Sequence, residues 1–148
     1  MSTSFQLQNN GSIQKELPHN IEAEQGILGA ILLNNEIFYD ISEIIIVDHF
    51  YEPVHRLVFD VISKMISKGQ IATPITLKSF FEVEKNLEEI GGSNYLVRLA
   101  NSAVSLDYAK NYAQIIYNRA VRRGLYELGG KVQHDAIESE IEKKPEDL

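Results

Sequence analysis

The sequence has no cysteine. Disulfide bridges, thiolate zinc sites and cysteine nucleophiles are thereby excluded. Long apolar runs are missing too. The longest, Ile27 to Leu33, falls far short of the roughly 20 residues that span a bilayer. The opening MSTSFQLQNN has neither a basic start nor an apolar stretch, so no secretory signal is expected and the expected location is cytoplasmic. Positive charge is scarce: 14 Lys and Arg stand against 21 Asp and Glu, a net charge of -7. That balance argues against a domain whose main task is to neutralise phosphates. No alternating strand pattern occurs, which makes the class all-α.

Catalytic patterns are also lacking. There is no G-x-x-x-x-G-K-[ST] phosphate loop, and Gly91-Gly92 has no following lysine. The four histidines, His19, His49, His55 and His134, sit on separate segments without an i,i+4 pair. Glu22/Glu24 and Glu82/Glu84 are two apart on helices, so each pair points to different faces and reads as solvated charge. No serine occupies a nucleophile elbow. The expectation is no catalytic residue, no cofactor site and no metal site in these residues.

What is present starts with Leu17 to Leu33, LPHNIEAEQGILGAILL. Pro18, then His19 and Asn20 as candidate caps, then Glu22 and Glu24 in the first turn, form a helix-start signal. From Ile27 to Leu33 every residue is apolar or glycine, which leaves no polar stripe; such a helix belongs in the middle of a core. Gly26 and Gly29 would let neighbouring backbones come close. At 148 residues the chain can bury a real core. Residues 1–16 read as a disordered tail, 17–106 as a helical head, and 107–148 as a long helix with its short continuation.

In order, the patterns predict helices near 21–33, 36–46, 53–68, 74–84, 93–101 and 107–135. Asn34-Asn35 make a turn, and Ile37, Phe38, Ile41, Ile44 and Ile45 recur at helical spacing, which outweighs a strand over Ile44 to Val47. Pro53 and Thr73-Pro74 mark helix starts, and Gly69 marks a stop. Ser93 or Asn94 can cap the fifth helix. Leu28, Ile31, Leu57, Val61, Phe80 and Leu96 are expected to be buried.

The last helix changes sides. At 100° per residue, Tyr108, Tyr112, Ile115 and Ile116 share one face, whereas Tyr117, Val121, Leu125, Leu128 and Val132 share the opposite one. Arg119, Arg122 and Arg123 continue the first face. A helix lying on one body has no need of that jump; a helix that leaves the body and meets something else does. The second face is therefore the candidate interface, unless another helix of the same chain covers it. The arginines could contact phosphate or a partner's carboxylates, or pair with this chain's own carboxylates. Tyr126 is the only aromatic residue beside them, a weak basis for a single-strand groove.

LPHNIEAEQGILGAILL resembles the opening signature of the N-terminal domain of bacterial replicative DNA helicases of the DnaB family. Phe50-Tyr51-Glu52-Pro53-Val54-His55-Arg56-Leu57-Val58-Phe59 is similar to the family's second block. Pro74-Ile75-Thr76-Leu77, Gly91-Gly92-Ser93-Asn94-Tyr95-Leu96, and Tyr112-Ala113-Gln114-Ile115-Ile116 with Arg119 to Leu125 continue the match in order, from Leu17 to about Ala136. One departure is Asn101 to Leu106, where the family usually has a proline before the long helix.

The resemblance implies a helical head and a helical hairpin, with the long helix as first arm and the second arm missing. It implies pairing of subunits through the hairpins into the collar of a hexameric ring, and docking of primase on that collar. ATP and Mg²⁺ would belong to a RecA-type motor beyond a linker helix, also missing here, and DNA would be met only through the full-length helicase. Two other readings stay open: a stand-alone helical adaptor that binds such a helicase, as the helicase-binding part of primase does, and a nucleic-acid-binding domain using the arginine face.

Overall fold

The computed structural model describes residues 16–138 and residue 146. The expected tail over residues 1–16 lies outside them except for Glu16, as do residues 139–145. Among the described residues there is no strand, and six α-helices follow one another: α1 (Ile21–Leu33), α2 (Ile37–Ser42), α3 (Pro53–Ser67), α4 (Pro74–Val83), α5 (Ser93–Asn101) and α6 (Ala109–Glu138). The class is all-α, with a long C-terminal helix. None of these helices is long and apolar enough to cross a membrane.

Helix α1 is the axis of the head. Asn20 caps it, its side chain accepting from the Ala23 N–H at 2.9 Å. Every residue from Gly26 to Leu32 is buried, and α1 touches α2, α3, α5 and α6. Gly29 is required by a close approach: a Cβ there would lie 1.9 Å from the Leu99 carbonyl oxygen at the end of α5. Gly26 offers its carbonyl to the Val104 N–H at 3.0 Å, fastening the segment between α5 and α6 to the middle of α1.

The second helix is shorter than its periodicity implies. It stops at Ser42 instead of running to residue 46. The next stretch contains four consecutive β-branched residues, Ile44 to Val47, which lose side-chain freedom in a helix. The Ile44 and Ile45 N–H groups both close onto the Ile41 carbonyl, at 2.9 and 3.0 Å. The chain then makes a 3-10 turn over Val47–His49. Ile41 and Ile45 still reach the core.

Pro53 opens α3, and Gly69, with φ of 75°, closes it. The Gln70 N–H returns to Met65 and the Gly69 N–H to Ile66, the paired bonds of a Schellman stop. Thr73 and Thr76 cap α4 reciprocally. Leu28, Ile31, Val61 and Leu96 are buried as expected. Leu57 and Phe80 are only partly buried, because α3 turns His55, Val58, Phe59 and Ile62 inward and α4 turns Leu77 and Phe81 inward. Helix α5 is entered through Gly92, with φ of 82°, and neither Ser93 nor Asn94 is its cap. A 3-10 turn at Leu106–Tyr108 precedes α6, which starts at Ala109.

Candidate functional site

Two features stand out: a buried polar relay inside the head, and the passage of α6 from the head into solvent. The relay begins at Glu24, which is buried rather than solvated, at 1 % exposure. One carboxylate oxygen accepts from the Tyr51 N–H at 2.7 Å. The other accepts from the Glu52 N–H at 3.3 Å and lies 2.7 Å from Nδ1 of the fully buried His55. His55 Nε2 lies 2.6 Å from the Tyr95 hydroxyl, which in turn accepts from Gln25 Nε2 at 3.3 Å.

One arrangement satisfies all of this: Nδ1–H donates to Glu24, and Nε2 accepts from the Tyr95 hydroxyl. Burial raises the Tyr95 phenol above its ordinary pKa, which keeps its proton available for that bond. The relay joins α1, the start of α3 and α5. Its outer end, the Tyr95 oxygen, is already taken up by His55 and Gln25, so the arrangement fastens three helices.

At the junction, Ala109, Ala113 and Ile116 are buried against the head. Two turns on, Arg123 reaches back along the same side of α6. It donates to the Pro18 carbonyl at 2.8 Å and to the His49 carbonyl at 2.7 Å. Its guanidinium lies over the Tyr51 ring, 5.4 Å from the centroid. Tyr51 is stacked in turn on His19, with centroids 4.1 Å apart. Burial lowers the Arg123 pKa from its ordinary value, and nearby Glu24 opposes that shift. The arginine cluster is thereby divided. Arg119 and Arg122 bond Asn118, at 3.2 and 3.1 Å, while Arg123 serves the head. Its bonds go to backbone carbonyls, where a phosphate, a partner's carboxylate or one of this chain's own had been open readings.

The opposite face of α6 carries Tyr117, Val121, Leu125, Leu128 and Val132. Tyr117 still touches the head, meeting the His49 ring edge-on at 5.2 Å. Beyond it, exposure is 43 % at Val121, 62 % at Leu125, 56 % at Leu128 and 60 % at Val132. A Cβ added at Gly124, Gly129 or Gly130 would meet nothing within 4 Å. Elsewhere on the head, Met65, Ile71, Phe80 and Val83 line an open apolar groove between α3 and α4. No cluster of three or more metal-ligating side chains occurs among the described residues.

The fold is thus a helical head in which the Glu24–His55–Tyr95 relay fastens three helices, with a long last helix whose far half exposes apolar side chains. The sequence model of the DnaB-like helicase N-terminal domain matches residues 16–118, and the chain belongs to that family. It is 41% identical over 130 residues to the replicative DNA helicase DnaB of Rickettsia felis, covering 88% of this chain and 26% of that protein. To the DnaB of Pasteurella multocida it is 36% identical over 116 residues, covering 78% and 25%. The chain thus spans about a quarter of the length of the curated relatives it matches.

The crystal structure of the N-terminal domain of DnaB helicase from Mycobacterium tuberculosis superposes with a TM-score of 0.81 at 29% identity, covering 87% of this chain and 90% of that one. A DnaB-like replicative helicase, described with its interactions with primase, shares the fold with a TM-score of 0.66 at 24% identity, covering 84% and 32%. The relatives are enzymes; the part of them that this chain matches is the N-terminal domain, which is non-catalytic.

Proposed function

We propose that this chain is the assembly and docking domain of a hexameric, ATP-dependent replicative DNA helicase. The arm formed by α6 pairs subunits into a collar, and the collar docks primase during DNA replication. ATP and Mg²⁺ belong to a motor domain outside these residues, and DNA is met through the complete helicase in the cytoplasm. The observation that carries this reading is the solvent-exposed stripe of Val121, Leu125, Leu128 and Val132 on a helix whose first turns bury Ala109, Ala113 and Ile116 against the head. Covering these side chains is worth on the order of 1.5–3 kcal/mol each, so association relieves a real cost. The primase interactions described for a structural relative support the docking half of the proposal. The loss of Arg123 to the head leaves only Arg119 and Arg122 for phosphate, which weakens the nucleic-acid reading.

The test is Leu125→Asp with Leu128→Asp in the full-length protein, read by sedimentation and by primase binding. The expected result is lost subunit pairing and weakened primase binding with the head still folded. If both persist, the stripe is not an interface.

A further inference from the structure

We propose that Arg123 is a positioning residue, a latch that fixes the direction in which the arm leaves the head. Its place in the sequence is the first reason. Ala109, Ala113 and Ile116 form the buried stripe of α6, and Arg123 falls on that same stripe two turns after Ile116. A short apolar side chain there could not bond the Pro18 and His49 carbonyls; the long guanidinium reaches both.

The second reason is what it holds. Pro18 lies just before α1, His49 closes the 3-10 turn before α3, and these two carbonyls take two separate N–H groups of one rigid fork. The face of the fork rests on Tyr51. Tyr51 cannot drift, because its N–H is held by Glu24 and its ring by His19. The helix direction is thus referenced to the segments that lead into α1 and α3.

The third reason lies just downstream. Immediately past the latch comes Gly124, with open space around it, and then the exposed half of the arm. Without the latch, α6 is held by its first turns and by the edge contact of Tyr117 with His49. From Ile116 to Glu138 the helix runs roughly 33 Å at about 1.5 Å per residue, so a pivot of about 15° would carry the tip roughly 9 Å. The latch sets where the arm's stripe is presented, whatever that stripe meets, and a negative result for the latch would not bear on whether the stripe pairs subunits.

The absence of cysteine makes a direct test available. Lys78→Cys on the head and Gln133→Cys on the arm give the only two sites for spin labels, and electron–electron resonance reads the distance between them in the whole chain. With the labelled chain diluted into unlabelled, cysteine-free chain so that only distances within one subunit are read, the parent should give one main distance. Arg123→Ala should broaden or shift it by several ångströms, and Arg123→Lys should broaden it as well, since an ammonium cannot replace the two-pronged fork. Fraying at the tip broadens parent and variant alike, so only the difference between them counts. Far-UV circular dichroism and the urea midpoint check the head. Should Arg123→Ala unfold it, Arg123→Lys and Tyr51→Leu are read by the same distance. A distance distribution that superimposes on the parent's in the folded variants overturns the proposal.

Discussion

Gly29→Ala places one methyl group where two helices already touch through their backbones. The added carbon would sit 1.9 Å from the Leu99 carbonyl oxygen and 2.9 Å from both the Cα and the N of Ala103. Carbon–oxygen contacts ordinarily begin near 3.3 Å, so the helices must separate by about 1.4 Å. None of the obstructing atoms belongs to a side chain that could rotate away. Alanine returns about 1 kcal/mol of helix propensity relative to glycine. Overpacking a well-packed core costs about 1–3 kcal/mol and occasionally more, and here it also loosens Leu96 and Leu99 from α1.

The expected net destabilisation is on the order of 2–4 kcal/mol, which lowers Tm by roughly 5–15 °C. Gly26→Ala is the contrast. Its nearest neighbour would be Val104 Cβ at 3.4 Å, so the variant should stay within about 1 kcal/mol of the parent. Gly124→Ala, with nothing within 4 Å, should stabilise the helix slightly. Urea unfolding followed by circular dichroism measures all three. The reasoning fails if Gly29→Ala stays within about 1 kcal/mol of the parent, or if Gly26→Ala is equally damaging.

Glu24→Ala leaves the buried Tyr51 N–H and the His55 Nδ1–H without an acceptor, and should cost on the order of 3 kcal/mol in urea unfolding. An intact midpoint would mean that the relay contributes little. His49 should titrate below its ordinary value of 6.5: burial lowers it, Asp48 raises it and Arg123 lowers it. The unfolded chain then takes up the proton first, so this contribution to stability is full above pH 6.5 and is lost as pH falls through the lower folded-state value. Imidazole resonances followed by NMR should show this, with Arg123→Gln raising the His49 midpoint; a midpoint at or above 6.5 in the parent contradicts the account.

Much of the fold was legible because helix signals are local. Thr73-Pro74, Pro53, Asn20 and Gly69 announce their roles through backbone chemistry within four residues of themselves. The change of face along α6 is read from the same local spacing; in the structure Leu125, Leu128 and Val132 are exposed, and so are Tyr126 and Ile137 off that stripe. The early end of α2 was misread because apolar spacing continued through Ile44 and Ile45 while the β-branched run opposed a helix. Arg123 was grouped with Arg119 and Arg122 on spacing alone, but its partners lie at residues 18 and 49, which no local pattern joins to it. The relay was missed although a signal existed. Glu24 stands three, four and seven residues before Ile27, Leu28 and Ile31, and His55 stands at the same offsets before Val58, Phe59 and Ile62. A polar side chain heading a core stripe in this way must find a partner inside.

One consequence of the relay concerns how the head assembles. The first residues of α3 have no cap of their own, since the Glu52 side chain makes no capping bond. Glu24, on another helix and 27 and 28 residues away in sequence, takes the Tyr51 and Glu52 N–H groups instead. The start of α3 is therefore finished only when α1 has docked, and α1 can bury its carboxylate with partners only when α3 has begun. Neither helix can complete first, so the two should form in a single cooperative step. In native-state hydrogen exchange, the Tyr51 amide, although it precedes the helix and would ordinarily exchange by fraying, should exchange only with global unfolding.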